Sequence, residues 1–432
     1  MSSPRALACL WASTGIAALG KGILAVGLLA WTYQARESAT TVSMLVVAWL
    51  LPSLLLGPLA ARLITGRTAW PAAIAAQLVT AAALVPLLRV SADADLSLVL
   101  AATFASAVPI AFLEESRSLL LPAAAGQEHL PSAGRALSNT RLIALTVGPA
   151  AGTIVYGATG YTVPGLSGCA AAALAALLLS TVLILFARPS EAIASEMRSR
   201  PTGVSLAGLQ KGLLHVWHTS ALRTAAAVWL ATALLTGGMV VTQVALMVWG
   251  IFTSPEDVGL VLAAEGLGMA MATVGRRFLR GQLSPDSRVA VGLGLVAGGG
   301  FGLAIVGSLR EAIPCAVAIG LGLAMLVPAL ADLVSSSAAP ELRCPAIAGL
   351  KMAMSAAVIL SAIVSGPLAD LLKPRFAMVL PCILLAILAL YAFGAPSAPD
   401  MEEMEKDKEV ADSERTAVYD VLRGVPGGHP LE

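Results

Sequence analysis

The chain has 432 residues, of which 57% are hydrophobic and only 12% are charged. A soluble domain of this length carries about twice that charged fraction, so the composition excludes an ordinary soluble protein. The formal net charge is +1, and no soluble stretch combines a basic patch with interleaved aromatic residues, which gives no support to nucleic-acid binding.

Apolar runs of about 20 residues or more, the length that crosses a bilayer as a helix, recur along the whole chain. They predict an all-α polytopic membrane protein with 12 transmembrane helices. In chain order, the predicted spans are residues 7–33, 41–64, 69–88, 96–121, 138–157, 164–187, 221–250, 257–279, 288–309, 312–335, 345–370 and 375–395. The connections are short except at 188–220, where we expect a cytoplasmic linker with a short amphipathic helix around residues 206–217.

Most lysines and arginines of the connections fall on one side of the predicted spans, among them Arg62, Arg67, Arg135 and Arg276. Because positively charged loops tend to stay in the cytoplasm, both termini are predicted to be cytoplasmic, in a multi-pass protein of the cell (inner) membrane. The tail at 396–432 is acidic and then rich in glycine and proline, which predicts a flexible cytoplasmic segment.

Short motifs return in the second part of the chain in the same order. The corresponding pairs are Gly66-Arg67 with Gly275-Arg276, Val108-Pro109 with Val327-Pro328, and Gly148-Pro149 with Gly366-Pro367. Their offsets are all about 210–219 residues. This repeat predicts two parallel six-helix halves, at 1–187 and 221–395. Such a pair of halves is typical of rocking transporters with a central site.

Several ionisable residues stand inside predicted spans. A charge at this depth costs about 2.5–3.5 kcal/mol, so it usually faces an aqueous path or a partner. The candidates for substrate binding or coupling are Lys21, Glu114, Glu115, Arg117, Glu265 and Asp332. Arg141 and Lys351 begin the fifth and eleventh spans, where we expect interfacial charges.

The stretch from Glu114 to Arg117 is the densest of these groups. Glu114 and Arg117 are three residues apart, on one helical face, and are predicted to form a structural or gating pair. Glu115 points about 100° away, and we expect it to exchange protons during transport. The alternative is that all three side chains extend to the cytoplasmic interface.

Lys21 lies about 14 residues into the first span, too deep to reach the interface easily. Two roles stay open for this side chain. It could contact an anionic group of a substrate, or it could form an ion pair with an intramembrane acid such as Glu265 or Asp332.

No motif supports a cofactor. The run from Thr153 to Thr162 contains a glycine turn, but Val163 replaces the third glycine of a dinucleotide-binding loop, and membrane spans flank it. The chain has no GxxxxGK[ST] phosphate-binding loop. Its five cysteines and four histidines show no metal-ligand spacing. We therefore expect no enzyme activity, no nucleotide and no metal.

The stretch from Gly57 to Arg62 (GPLAAR), followed by Gly66-Arg67, resembles the loop between the second and third spans of the major facilitator superfamily. GPAAG, at 148–152, resembles the fifth-span motif of its drug:proton antiporters. The segments 117–122 (RSLLLP) and 342–370 are similar to the macrolide-efflux and enterobactin-exporter branch. The chain departs from these patterns at Ala61, where the loop usually has an aspartate, and at Lys21, where related first spans more often have an acid.

This resemblance implies the major facilitator fold and a transport cycle of alternating access. A proline inside a helix removes one backbone hydrogen bond, so Pro149 and Pro367 are expected to bend their helices. The residues expected to act in gating or helix bending are Gly57, Arg62, Arg67, Gly148, Pro149, Gly275, Arg276, Gly366 and Pro367.

We therefore expect a secondary exporter, driven by proton antiport, for small hydrophobic or amphipathic compounds such as drugs or metabolites. Its partners would be that substrate, protons and the lipid bilayer, with no nucleic acid or nucleotide. One alternative is export of an anionic siderophore or lysolipid, with Lys21 as the counter-charge. The other is a membrane sensor or scaffold that transports nothing. Export as the direction rests on the resemblance alone.

Overall fold

A computed structural model describes residues 4–90, 96–159, 163–187, 206–247, 257–279, 284–337 and 342–394. The predicted tail at 396–432 and most of the predicted linker, 188–205, lie outside these ranges. Every regular element within them is a helix. The helices are α1 (Pro4–Arg36), α2 (Ala39–Leu63), α3 (Ala69–Leu84), α4 (Leu96–Thr159), α5 (Val163–Phe186), α6 (Leu206–His218), α7 (Ser220–Leu246), α8 (Asp257–Leu279), α9 (Pro285–Ile305), α10 (Leu309–Ser337), α11 (Arg343–Leu372) and α12 (Pro374–Gly394). A short 3-10 helix, Val85–Arg89, follows α3.

Helix α4 contains two spans. It turns sharply at Gly126, whose φ of 72° lies in the left-handed region that glycine adopts without steric cost. The fourth span, Leu96–Gly126, and the fifth span, Ser132–Thr159, lie on the two sides of this turn. The fifth span therefore begins before the predicted residue 138.

Twelve helical segments of the described chain are long and apolar enough to cross a membrane, which confirms the predicted number of spans. The number was predictable because a spanning helix is recognised from the length and composition of one apolar segment. Helix α6 occupies the predicted amphipathic stretch and packs on the start of the eleventh span, α11. There Gly212 contacts the backbone of Pro345 and Ala346, and Leu213 lies against Gly349.

Glycines bring the spans into close contact, as small residues do in membrane helices. A Cβ added to Gly22 of the first span would lie 2.9 Å from the Cα of Gly148 in the fifth span. Gly148 therefore serves first as a packing position. The fifth span continues as a helix through Pro149, and the expected bend there stays a prediction.

Two helix pairs make the most extensive contacts between the first six spans and the last six. They are the second span with the eleventh, and α4, which contains the fourth and fifth spans, with the eighth. On the eighth span, Gly259 lies against the carbonyl oxygen of Pro149, and Gly266 lies against the backbone of Leu145 and Thr146.

The second and eleventh spans are joined where α1 ends and α2 begins, which we call the Asp370 end. The carboxylate of Asp370, near the end of α11, accepts hydrogen bonds from Ser38 Oγ (2.6 Å), Ala39 N (2.7 Å), Thr40 N (3.1 Å) and Thr40 Oγ1 (2.6 Å). An acid at this position satisfies free backbone N–H groups and interacts favourably with the helix dipole. Helix α2 is thus capped by a residue of another helix.

The same two spans behave differently where α2 ends, which we call the Arg62 end. Here they leave a cavity of about 400 Å³ between them, which we call the second cavity. Its wall includes Ser53, Leu54, Gly57, Pro58 and Ala61 of the second span and Ala348, Lys351, Met352 and Ser355 of the eleventh. The two spans are therefore in contact at one end and separated at the other.

Candidate functional site: the central cavity

A larger cavity of about 560 Å³ lies among spans of both parts of the chain. We call it the central cavity. Its volume falls within the range of about 300–1,000 Å³ that is usual for small-molecule sites. Most of the wall is apolar, formed by residues that include Leu29, Leu45, Val46, Trp49, Leu50, Leu145, Val240, Leu262, Met269 and Val358.

Five charged side chains interrupt this apolar wall: Lys21, Glu114, Arg117, Arg141 and Glu265. Three are basic and two are acidic, and they come from the first, fourth, fifth and eighth spans. Four of them are among the predicted candidates. Because the wall is otherwise apolar, each unpaired charge here is costly and calls for a partner or a ligand.

Glu114 links the fourth and fifth spans through two arginines. Arg141 donates a hydrogen bond from Nη2 to Glu114 Oε2 at 2.5 Å. The Nη1 atom of Arg117 lies 3.5 Å from Glu114 Oε1, so the predicted pair is present but loose. Arg141 is therefore not the interfacial charge that its position in the sequence suggests. The sequence did not predict this contact, because Glu114 is 27 residues away from Arg141, across the turn at Gly126.

The Arg117 side chain is only 4% exposed. Its Nε and Nη2 atoms are enclosed and have no hydrogen-bond partner among the described residues. An unsatisfied buried donor costs about 1–3 kcal/mol, and more when the group is charged. The Arg117 side chain is thus enclosed by the protein, whereas Glu114 is 42% exposed, and the alternative in which all three side chains extend to the cytoplasmic interface stays a prediction.

Lys21 lines the central cavity from the first span. Within the described part of the chain, it forms neither a hydrogen bond nor an ion pair, although it interacts electrostatically with Glu114, Arg117 and Arg141. The proposed ion pair with Glu265 is absent. The side chain of Asp332, the other suggested partner, lies outside the described residues.

Glu265 of the eighth span is buried and has a different partner. Gln243 of the seventh span donates from Nε2 to Glu265 Oε1 at 2.5 Å. The backbone of Glu265 also contacts Gly320 of the tenth span closely. Sequence reasoning did not identify Gln243, because a single glutamine in an apolar helix gives no signal before its neighbour is known.

Glu115 does not line the central cavity. It lines the second cavity, together with Gly57 of the second span and Lys351 of the eleventh. The neighbouring glutamates thus face different cavities, as the helical geometry predicts. Lys351, which was expected to be interfacial, is exposed and forms part of this cavity wall.

The remaining predicted gating residues are spread over the molecule. Arg62 and Arg67 are exposed at the Arg62 end. Gly366 lies at the Asp370 end, where an added Cβ would lie 2.9 Å from the Cα of Thr40, and Pro367 follows it inside α11. Gly275 has open space around it, and the side chain of Arg276 lies outside the described residues. In the described part of the chain, no three His, Cys, Asp or Glu side chains could together hold a metal ion.

No protein-family model and no curated protein sequence matches this chain. Solved structures do match it. A POT family transporter in complex with a thioalcohol-conjugated peptide has a TM-score of 0.71 at 11% identity, covering 90% of this chain and 96% of that one. A mutant of the nucleoside transporter NupG has a TM-score of 0.70 at 11% identity, covering 90% and 99%. The human organic anion transporter MFSD10 has a TM-score of 0.62 at 15% identity, covering 90% and 100%.

These structures do not test the resemblance to the macrolide-efflux and enterobactin-exporter branch, which stays a prediction. At such low identity the likeness concerns the fold. With 12 candidate spans and these structural neighbours, the chain has the major facilitator fold.

Proposed function

We propose that the protein is a secondary active transporter that carries small amphipathic compounds through the central cavity by alternating access. The observation that carries this proposal is the cavity itself. It combines a mostly apolar wall with converging charged groups, and spans of both parts of the chain form it. The similar structures named above are a POT family transporter, a nucleoside transporter and an organic anion transporter.

The difference between the two ends of the second and eleventh spans supports alternating access. The second and eleventh spans are held together by Asp370 at one end and leave the second cavity at the other. In a rocking cycle, the two six-helix parts, 1–187 and 221–395, would exchange which end is closed. We propose that the termini, the linker at 188–220 and the tail at 396–432 lie in the cytoplasm. This orientation places the Arg62 end on the cytoplasmic side of the inner membrane.

We propose proton antiport as the driving reaction and export as the direction. Glu115 is the proposed proton carrier, because it lies in the second cavity, away from the paired arginines that hold Glu114. Direction is carried over from the resemblance of GPAAG, at 148–152, to the antiporter motif.

Everted membrane vesicles with an imposed proton gradient test this function. We expect proton release when one class of a panel of cationic dyes, macrolides, siderophores and lysolipids is added, and loss of that signal in Glu115→Gln. Glu37→Gln is the matched control, because Glu37 is exposed and lines neither cavity. No response to any compound from folded protein would contradict the proposal, as would full activity of Glu115→Gln.

A further inference from the structure

We propose that the central cavity contains a subsite for an anionic group of the substrate, formed by Lys21, Arg117 and Arg141, so that the transported compounds are amphipathic organic anions. This inference rests on the proposed transport function and names its substrate class. It depends on the balance of charge in the cavity wall and on which of those charges already have partners.

The basic groups outnumber the available acids. Among the described residues, Glu114 is the only carboxylate that forms an ion pair with any of these three basic side chains, and Arg117 and Arg141 share it. Glu265, the other acid of the wall, is hydrogen-bonded to Gln243. The described wall therefore holds a surplus of positive charge in an apolar setting, where an uncompensated charge is costly.

Several hydrogen-bond donors of Arg117 and Lys21 have no acceptor in the described structure. Arg117 engages Glu114 only through Nη1, at 3.5 Å, which is longer than the usual N–H···O distance of about 2.7–3.2 Å. Its Nε and Nη2 atoms have no partner in the described structure. Lys21 likewise forms no hydrogen bond or ion pair there. A guanidinium is well suited to a carboxylate, sulfonate or phosphate group, because it can donate two parallel hydrogen bonds. We expect the Arg117 guanidinium to turn toward such a group when it binds.

The rest of the wall defines the other part of the ligand. Trp49, Leu45, Leu262 and Met269 provide apolar contact surface in the same cavity. A compound with an apolar or aromatic body and one anionic group matches both regions. A cationic compound fits less well, because both carboxylates of the wall already accept hydrogen bonds and three basic side chains would repel it.

The test uses a matched ligand series with the purified full-length protein in a neutral maltoside detergent. The probes are 1-naphthaleneacetate, naphthalene-1-sulfonate, the uncharged 1-naphthaleneacetamide and the cationic 1-naphthylmethylamine, measured by isothermal titration calorimetry. We expect both anions to bind at least about tenfold more tightly than the amide, which corresponds to one good charged contact. Binding of the carboxylate but not the sulfonate would restrict the subsite to carboxylates and support it.

Lys21→Gln is the informative variant, because Lys21 has no structural partner in the described part of the chain whose loss would unfold the protein. We expect it to weaken anion binding about tenfold and leave amide binding unchanged. Arg310→Gln is the matched control, since Arg310 is exposed and lines neither cavity. Equal binding of anion and amide, tighter binding of the amine, or no effect of Lys21→Gln would each overturn the subsite.

The same four probes in proteoliposomes with a proton gradient separate the two proposals. Transport of the amide and amine as fast as the anions would overturn the anionic subsite but leave the transport function intact. No gradient-driven movement of any probe or of the earlier panel would overturn the transport function itself.

Discussion

The second and eleventh spans differ strongly between their two ends. At the Asp370 end, one carboxylate accepts hydrogen bonds from Ser38, Ala39 and Thr40, and Gly366 lets the helices approach. At the Arg62 end, the same helices leave a cavity of about 400 Å³ that contains Glu115 and Lys351. Among the described residues, the hydrogen bonds between these two spans are all at the Asp370 end. In the proposed transport cycle, the Asp370 end would open by breaking only these few hydrogen bonds.

The largest effect should come from preventing the Asp370 end from opening. Ser38 Oγ lies 2.6 Å from the Asp370 carboxylate, so Ser38→Cys with Asp370→Cys is the cysteine pair to introduce, and its disulfide formation on oxidation is verified first. Transport should then fall almost to background and return when a reductant is added. Each single variant, treated with the same oxidant, is the control. Full transport by the cross-linked protein, with the cross-link verified by mass spectrometry, would show that this end stays closed throughout the cycle.

The second prediction concerns the close contact between Gly366 of α11 and Thr40 of α2 at the same end. Gly366→Leu places side-chain atoms against the backbone of Thr40 and should lower the free energy of unfolding by about 1–3 kcal/mol. Thermal unfolding in detergent measures this change. Gly294→Leu is the matched control, because Gly294 is exposed and its added Cβ meets no atom within 4 Å. An equal effect of both substitutions would mean that the close approach contributes nothing specific.

A smaller effect is expected from the cap itself. Asp370→Ala removes the carboxylate that accepts from the Ala39 and Thr40 amides and should cost about 0.5–2 kcal/mol of helix stability. Amide hydrogen exchange at Ala39 and Thr40 should accelerate by about 2- to 30-fold, the factor that 0.5–2 kcal/mol corresponds to. Asp370→Asn keeps an acceptor oxygen, so its exchange rates should lie between those of the unmodified protein and those of Asp370→Ala. Unchanged exchange at both amides in Asp370→Ala would rule out the cap.

The smallest effect on stability is expected at the Arg62 end. An added Cβ at Gly57 meets no atom within 4 Å, so Gly57→Ala should change the free energy of unfolding by less than about 0.5 kcal/mol. The transport rate should nevertheless fall, because the proposed alternating access would bring the second and eleventh spans together at this end. Thermal unfolding and vesicle transport, measured on one preparation, check both parts. A normal rate would indicate that this end does not close around Gly57.

Local sequence determined the features that depend on a single helix. The spans were predictable because the length of an apolar run is compared only with the thickness of the bilayer. The Glu114–Arg117 pair, the separate direction of Glu115 and the amphipathic helix α6 follow from the regular rotation of residues around one helix. None of these predictions needed information about a neighbouring helix.

Tertiary structure alone decided the partners that come from different helices. Arg141 meets Glu114, Gln243 meets Glu265, and Asp370 caps α2 from a position 330–332 residues away. These contacts depend on how each helix is rotated and where it crosses its neighbours, and a displacement of a few ångströms would remove them. A single charged or amide residue in an apolar stretch does not indicate how its helix is rotated against its neighbours. The sequence therefore determined which segments are long and apolar enough to cross a membrane, and the packing of the helices decided which polar side chains meet.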